Sequence, residues 1–456
     1  MARDHARKKA ASPSQMKLRH ICHALASVAF GLLVPCWAIA DDTTPQDFAV
    51  HGQATFIYQG YPPFAAPYSG ANSLPPGGQA RETADVTLLV GVRPWAGGEI
   101  WLDPEFDQGF GLHDTLGVAG FTNGEGAKVG RVRPYFRLPR LFLRQTVNLG
   151  GDVSKVDPDL NQLGGSQSAN RIVVTVGKFN VTDVFDTNAY AHDPKQDFLN
   201  WALIDAGTFD YAADAWGYTV GASVEWYHGP WTVRAGVFDL SKMPNGEKLD
   251  PNLGQFQLVG EVERHYSILG KDGSIKVTGF LSRGRMGLYS DAIELGAELG
   301  EPPNTALVRR YRSRPGISVN LQQKITDDLG AFTRAGWDRS DVEAYEYADI
   351  DQTVSAGLSM AGKRWGRSDD TIGLAGVINN ISKEHQAYLA AGGLGILVGD
   401  GRLPHPRTEN ILETYYKAAL TRFLQLTLDY QFVDNPAYNT DRGPVSIFAI
   451  RLHAQF

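Results

Sequence analysis

Charged and aromatic side chains recur at every second position between residues 99 and 105. Glu99, Trp101, Asp103 and Glu105 share one face of this segment, because alternate residues of a strand point the same way. Carboxylates accept charge-assisted hydrogen bonds from hydroxyl groups, and an aromatic face covers apolar C–H surface. These residue types at this spacing favour a sugar-like ligand that is held by hydrogen bonds and ring contacts.

Arginines supply the complementary charge on neighbouring segments. Arg93 lies just before the acidic run, and Arg140 and Arg144 follow it in PRLFLRQT. A lining of one charge sign would select ions of the opposite sign, whereas both signs occur together here. The candidate ligand-binding residues are Arg93, Trp101, Asp103, Glu105, Arg140, Arg144, Glu225 and Arg234.

Strands are the elements that must position these side chains. In LQLTLDYQF, residues 424–432, leucines and aromatic residues share one face and polar residues share the other. The same alternation predicts sixteen strands, at 48–59, 82–95, 98–105, 137–149, 171–180, 216–227, 231–240, 255–267, 273–285, 310–325, 329–339, 351–362, 370–380, 411–420, 424–433 and 445–456.

The apolar faces of these strands need an apolar partner. After residue 41 no apolar run reaches the roughly 18 residues that indicate a membrane-spanning helix. Only helices and closed barrels satisfy every backbone polar group in lipid. We therefore predict an all-β fold, a sixteen-stranded antiparallel transmembrane β-barrel with lipid-facing apolar rows and a water-filled lumen rather than a packed core.

The connections between the predicted strands alternate in length. Those that leave even-numbered strands are short, such as 228–230, and those that leave odd-numbered strands are long, such as 106–136. Outer-membrane barrels have short periplasmic turns and long extracellular loops, so both ends of the barrel chain are predicted on the periplasmic side. The stretch 150–170 is the exception, because it follows the fourth strand and is long.

The chain ends in a strand, IFAIRLHAQF, whose last residue is Phe456. This strand is predicted to close the barrel against the first strand, 48–59, with the terminal aromatic ring in the interfacial girdle. We expect Phe456 to be needed for assembly by the barrel-assembly machinery and for membrane insertion.

The connection from 181 to 215 is long and rich in aromatic and acidic residues. A loop at this position is able to fold inward and narrow the pore, and an ordered extracellular cap is the alternative. The candidate constriction residues are Asp183, Asp186, Trp201, Asp205 and Asp210.

The N-terminus has the features of a secretory signal peptide. A basic stretch precedes an apolar run at about 24–34, and Ala38-Ile39-Ala40 offers a cleavage site, with Met1 or Met16 as the start. Residues 1–40 are therefore predicted to be removed, which leaves 41–456 as the barrel. The remaining chain has no cysteine, and its 37 basic and 49 acidic residues argue against nucleic acid as a partner.

Catalytic motifs are absent from the sequence. No H-E-x-x-H or G-x-S-x-G pattern occurs, and GLGILVG near 393–399 has the wrong glycine spacing for a dinucleotide site. We predict no enzyme activity, no cofactor and no metal. Two alternatives to a sugar channel stay open: a general or organic-acid and ion porin, and an outer-membrane barrel enzyme that acts on lipid.

Several stretches resemble the carbohydrate-selective porin family of Gram-negative outer membranes, the OprB type. They include GEIWLDPEFDQGFGL, PRLFLRQT, VTGFLSRGRMG and the long run from Val176 to Tyr218. The resemblance implies passive diffusion of mono- and small oligosaccharides through a constriction of arginines, acids and aromatics. Sugars, outer-membrane lipid and lipopolysaccharide are the partners it implies, and a monomer and a homotrimer both stay open. The positions in matching motifs are Trp101, Asp103, Glu105, Arg140 and Arg144.

Overall fold

Alternating polar and apolar side chains form sixteen antiparallel strands in the part of the chain that the structure describes. This computed structural model describes residues 45–127, 129–250 and 252–456, so the predicted signal peptide, 1–40, lies outside the described residues. The strands are β1 (Phe48–Tyr61), β2 (Gln79–Trp95), β3 (Gly98–Gly109), β4 (Arg131–Val156), β5 (Gly165–Phe179), β6 (Thr219–His228), β7 (Trp231–Asp239), β8 (Phe256–Ile268), β9 (Lys271–Met286), β10 (Arg310–Lys324), β11 (Leu329–Asp338), β12 (Gln352–Gly362), β13 (Arg367–Asn380), β14 (Glu409–Ala419), β15 (Leu424–Asp434) and β16 (Val445–Gln455).

The strands close into a barrel in which each pairs with its chain neighbours and β1 pairs with β16. Phe456 closes the seam, because its backbone N–H and C=O each bond to Gly52 at 3.0 Å. The predicted fold class is confirmed. Among the described residues, three short helices lie in connections between strands: α1 (Trp201–Ile204), α2 (Tyr289–Leu299) and α3 (Lys383–Ala390). Single 3-10 turns occur at Leu112–Thr115, Val181–Asp183, Thr305–Val308, Lys363–Trp365 and Pro436–Tyr438.

The outer surface of the barrel carries the apolar rows. In β2, Val86, Leu88 and Val92 are exposed, whereas Thr87 and Leu89 between them are buried. Exposed aromatic residues mark both ends of the strands, as expected for interfacial girdles. They are Trp95, Trp226, Trp231 and Phe423 near the short turns, and Tyr58, Phe106, Phe136 and Tyr311 near the long loops. No helix among the described residues is long and apolar enough to cross a membrane.

The hairpin of β4 and β5 corrects the expectation for 150–170. Both strands run past the predicted ends and stay paired through two register shifts, between Asn148 and Val153, where Gly150 and Gly151 adopt positive φ angles. Only residues 157–164, which we call the hairpin tip, connect them. The connections after even-numbered strands are therefore all short, and we call their side of the barrel the turn end and the opposite side the loop end.

The lumen is not simply water-filled, and this part of the prediction is wrong. Residues 180–218 between β5 and β6, which we call the inner loop, fold into the barrel. Phe185, Phe198, Trp201 and Phe209 of this loop are almost fully buried and join an apolar cluster that includes inward side chains of the strands. The inner loop therefore turns a large part of the lumen into a packed core.

Strands β8 to β16, which we call the anchoring wall, hold the backbone of the inward-folded loops. Glu413 accepts hydrogen bonds from the backbone N–H groups of Leu199 and Asn200 at 2.5 and 3.0 Å. Arg334 donates to the carbonyl oxygens of Leu203 and Ala191, each at 2.8 Å. These side chains replace the water that an exposed loop would use, so the buried loop backbone is satisfied.

Inward aromatic rings of the barrel lie over glycines on the neighbouring strand. Trp101 covers Gly91 and Phe280 covers Gly316, and in each case the two residues are direct cross-strand partners. A side chain at either glycine would overlap the ring, because an added Cβ would lie within 2.5 Å of ring atoms. Glycine thus makes room for large side chains on the inner surface of a narrowed lumen.

Replacement of Gly316 by Val is expected to destabilise the folded barrel by about 1–3 kcal/mol, since overpacking displaces the Phe280 ring. Gly279→Val is the control, because nothing lies within 4 Å of a Cβ added at Gly279 on the opposite face of the same strand pair. Urea unfolding in detergent measures both variants. Equal stability of Gly316→Val and wild type would show that the ring contact is not tight.

Candidate functional site

A cavity of about 1050 Å³ remains between the inner loop and strands β2 to β7. The anchoring wall holds the inner loop on the other side, so the open path runs along one side of the barrel. The cavity is lined mostly by charged, amide and aromatic side chains, which suit a hydrated polar solute better than an apolar one.

A row of arginines on β4 faces a row of acids on β3. The cross-strand register pairs Arg144 with Glu99 and Arg137 with Glu105, and the nearest oxygen–nitrogen distances in these pairs are 3.6 and 2.5 Å. Arg137 also bonds to Asp107. These arginines are held in place by carboxylates, and their remaining N–H groups line the cavity.

A break in the β4 register allows the arginine row to continue. Arg140 and Arg137 are three residues apart, so strict alternation would put them on opposite faces. They oppose Asp103 and Glu105, which are only two residues apart, so the register shifts at this point. Pro139 lies in the extra segment, and a residue without a backbone N–H fits a bulge of this kind.

Aromatic rings lie against several of these guanidinium groups. The Arg137 guanidinium carbon is 5.4 Å from the ring centre of Trp216 and 5.5 Å from that of Tyr218. Trp216 donates a hydrogen bond of 3.0 Å to the Tyr135 hydroxyl, which fixes the indole ring. Nearer the turn end, Arg171 lies 3.6 Å from the ring centre of Tyr227. Each pairing presents a ring and a charged donor side by side.

Arg234 organises a second charged cluster on the cavity wall. It donates to Glu225 at 3.0 Å, Glu261 at 2.6 Å and Glu263 at 2.8 Å. Glu225 also accepts the Tyr227 hydroxyl at 2.7 Å. Because Glu261 in turn accepts a backbone N–H of the inner loop, this cluster links the cavity wall to the loop.

The inner loop closes onto the arginine row through Asp183. The Asp183 carboxylate accepts two hydrogen bonds from Arg140, at 2.7 and 2.8 Å. Burial alone would raise the pKa of Asp183, but the Arg140 guanidinium outweighs burial and holds that pKa below its usual range. The contact is therefore an ion pair between loop and wall at neutral pH.

A second titratable pair of the inner loop borders the cavity. His192 Nδ1 lies 3.7 Å from Asp205 Oδ1. Burial lowers the pKa of His192, but the Asp205 carboxylate outweighs this effect and the pKa is raised overall. Trp201 lies beside this pair at the cavity edge, with its ring stacked on Phe121 at a centroid distance of 5.3 Å.

Four of the predicted site residues do not line the cavity. Trp101 lies over Gly91, and Asp103 is fully buried beneath the hairpin tip. Asp186 is buried in an ion pair with Arg334, and Asp210 accepts backbone N–H groups of residues 345–348. Burial against other chain segments, which periodicity does not reveal, explains these differences. The predicted residues that do line the cavity are Arg93, Glu105, Arg140, Arg144, Asp183, Trp201, Asp205, Glu225 and Arg234.

Sequence reasoning missed several residues that line the cavity. Arg137 was hidden by the bulge, and Trp216 and Tyr218 belong to the inner loop rather than to β6. Arg171 is the first residue of a predicted strand and shares a face with an apolar residue two positions later. The alternation there therefore did not show whether Arg171 points into the lumen. Asn161 lies in the hairpin tip, where no periodic signal exists.

The fold and cavity define a class of protein, the outer-membrane porins, in which a closed β-barrel surrounds a polar path. Residues 71–456 match the family model of the carbohydrate-selective porin family, OprB. The chain therefore belongs to this family. It is an outer-membrane porin, a channel protein, selective for carbohydrates.

One solved porin structure shares the fold, and two others are less similar. The OprB porin of Pseudomonas putida in its high-pH structure gives a TM-score of 0.68 at 16% identity, over 90% of this chain and 94% of that chain. Its low-pH structure gives a TM-score of 0.49 at 12% identity, over 90% of this chain and 93% of that chain. The outer membrane channel DcaP of Acinetobacter baumannii gives a TM-score of 0.47 at 11% identity, over 90% of this chain and 97% of that chain. A search of curated proteins finds no match.

Asp183→Asn is expected to make the channel more selective for anions, because it removes the carboxylate that neutralises Arg140 in the cavity. The reversal potential across a KCl gradient in a planar bilayer measures this change. Asp369→Asn is the control, since Asp369 is an exposed carboxylate outside the cavity. An unchanged reversal potential in Asp183→Asn would place the Asp183–Arg140 pair off the ion path.

Proposed function

We propose that mono- and small oligosaccharides diffuse passively through the one-sided cavity and bind transiently to its guanidinium and aromatic groups. The observation that carries the proposal is the placement of Trp216 and Tyr218 against Arg137, which joins a ring face to a charged hydrogen-bond donor. A sugar ring presents C–H surface on its faces and hydroxyls at its edge, so it is matched by both groups at once.

The predicted site residues take different roles in this proposal. Arg93, Glu105, Arg140, Arg144, Glu225 and Arg234 line the path and exchange hydrogen bonds with sugar hydroxyls as water leaves. Asp183, Trp201 and Asp205 narrow the path from the inner loop. Trp101 and Asp103 support the wall, and Asp186 anchors the loop, because these three lie away from the cavity.

The pairing of the lining charges favours sugars over organic acids. Arg137, Arg140 and Arg234 each have carboxylate partners within 3.0 Å, so little uncompensated positive charge is left for an anionic solute. Neutral solutes with many hydroxyls still find donors and acceptors that the ion pairs leave free. The alternatives are a general porin and an organic-acid porin, and the following experiment distinguishes both from a sugar-selective channel.

Glucose and malto-oligosaccharides are expected to block the single-channel current in a saturable way, whereas a small organic acid such as succinate is not. Trp216→Ala should weaken the sugar block by about 1–2 kcal/mol, as loss of an aromatic contact does. Trp365→Ala is the control, because Trp365 lies outside the cavity, near a short turn. Conductance without sugar block in the wild type would leave a general porin.

The C-terminal strand is proposed to be read by the barrel-assembly machinery. The supporting observation is that the Phe456 ring lies over Gly52 of β1 at the seam. Deletion of Phe456 is expected to lower the amount of heat-resistant barrel in the membrane, because the seam loses its terminal contact. Phe423→Ala, at another exposed aromatic residue of the turn end, is the control. Normal levels of folded barrel after the deletion would contradict the proposal.

Lipopolysaccharide is the proposed lipid partner at the loop end. Arg283 and Arg285 are exposed on the outer face of β9 beside Tyr311, and neither forms an ion pair with a carboxylate of the described residues. Basic residues at the membrane interface attract lipid phosphates. Thermal stabilisation by lipid A that is equal in wild type and Arg283→Gln/Arg285→Gln would exclude this site.

We propose that residues 1–40 are removed during export and that 41–456 form the mature barrel, with the loop end outside the cell. The intact mass of the protein isolated from membranes tests the cleavage, and surface proteolysis of the loops tests the orientation. Light scattering in detergent decides between a monomer and a homotrimer.

A further inference from the structure

The hairpin of β4 and β5 does more than connect two strands. Its arms extend past the neighbouring strands at the turn end, and Leu149 and Val153 on the β4 arm are exposed. The hairpin tip, 157–164, does not continue outward. It turns back into the barrel and lines the cavity with Asp159, Leu160, Asn161, Gln162 and Leu163.

Asn161 fixes the tip to the wall of the barrel. Its side-chain amide donates to both carboxylate oxygens of Asp103, at 3.0 and 2.9 Å. Its backbone carbonyl accepts a hydrogen bond of 2.7 Å from Arg144. Asn161 therefore contacts an acid of β3 and an arginine of β4 at once, and it does so from a left-handed backbone conformation, with φ of 52°, that asparagine tolerates well.

The chain before β1 holds the tip from the other side. Gln46 exchanges two hydrogen bonds of 3.0 Å with the backbone of Gly164, through its own backbone N–H and its side-chain oxygen. Arg93 donates to the carbonyl oxygens of Gln46 and Gly164, at 2.7 and 3.1 Å. The tip is thus held on both sides by charged or amide groups, and Leu163 is almost fully buried beneath it.

From these contacts we propose that the hairpin tip is a second constriction, in series with the inner loop, and that Asn161 is a positioning residue for sugar selectivity at the turn end. The inference deepens the proposed function and rests on it. Asn161 occupies the Asp103 carboxylate and one N–H group of Arg144. It therefore decides which hydrogen-bonding groups of these two residues are left for a passing sugar. The cavity becomes a chamber that is bounded at the loop end by the inner loop and at the turn end by the tip.

A constriction at one end of the chamber affects sugar entry from that end more than entry from the other end, whereas general loosening of the barrel affects both ends. A sugar that enters from the turn end must pass the tip before it reaches the arginine row, whereas a sugar from the loop end meets the inner loop first. Removal of the Asn161 side chain is therefore expected to change the two entry rates unequally.

The experiment compares Asn161→Ala with Ser154→Ala in planar bilayers, with maltotriose added to one side at a time. Ser154 is the control, because it is exposed on the β4 arm of the same hairpin and does not line the cavity. Asn161→Ala should raise the ionic conductance and increase the blocking rate severalfold from the turn end alone. Ser154→Ala should behave as wild type in both measurements.

A second variant, in which a Gly-Ser-Gly linker replaces residues 158–163, should give the same one-sided change with a larger amplitude. Equal rate changes from both sides, or unchanged conductance in both tip variants, would overturn the proposed constriction. If maltotriose does not block the wild type, the sugar proposal itself fails. In that case a rise in ionic conductance in the tip variants still supports the constriction, and its absence overturns it.

Discussion

Backbone polar groups inside a barrel must find partners, and this requirement governs the whole interior of the protein. The inner loop brings a long stretch of irregular backbone into the lumen, where solvent reaches little of it. Glu413, Arg334 and Arg451 of the anchoring wall bond to backbone atoms of this loop, and Glu409 bonds to the N–H groups of Ala119 and Gly120 in the preceding loop. Without these side chains the buried backbone would cost several kcal/mol, and the loop would stay outside.

The different roles of the anchoring wall and of strands β2 to β7 explain why the cavity lies on one side of the barrel. On the anchoring wall several inward carboxylates bond to the loop backbone, as Glu413 and Glu409 do. On strands β2 to β7 they pair instead with arginines of the neighbouring strand, as Glu105 does with Arg137. Paired charges keep fixed positions and still offer unused N–H groups and oxygens, so they form a polar surface without a large net field. The aromatic rings against the guanidinium groups add ring faces to that surface.

The two ends of the chamber are built by different means. The inner loop is a long insertion that carries its own apolar core, whereas the hairpin tip is an extension of two barrel strands that folds back on a pair of glycine-containing register shifts. Both reach the arginine row, through Asp183 to Arg140 and through Asn161 to Arg144. The row is therefore the common surface on which both ends of the chamber close.

The sequence by itself determined the sixteen strands, the faces that meet lipid, the alternation of short and long connections and the inward position of most charged candidates. These follow from a two-residue period that is local and is enforced by backbone sterics and by the cost of charge in lipid. Tertiary structure alone decided which inward residues reach the cavity. Asp186 is buried by Arg334, Asp103 is covered by Asn161, and Arg137 is turned inward by the bulge near Pro139. Such contacts join residues far apart in the chain or depend on a break in the period, so no periodic signal carries them.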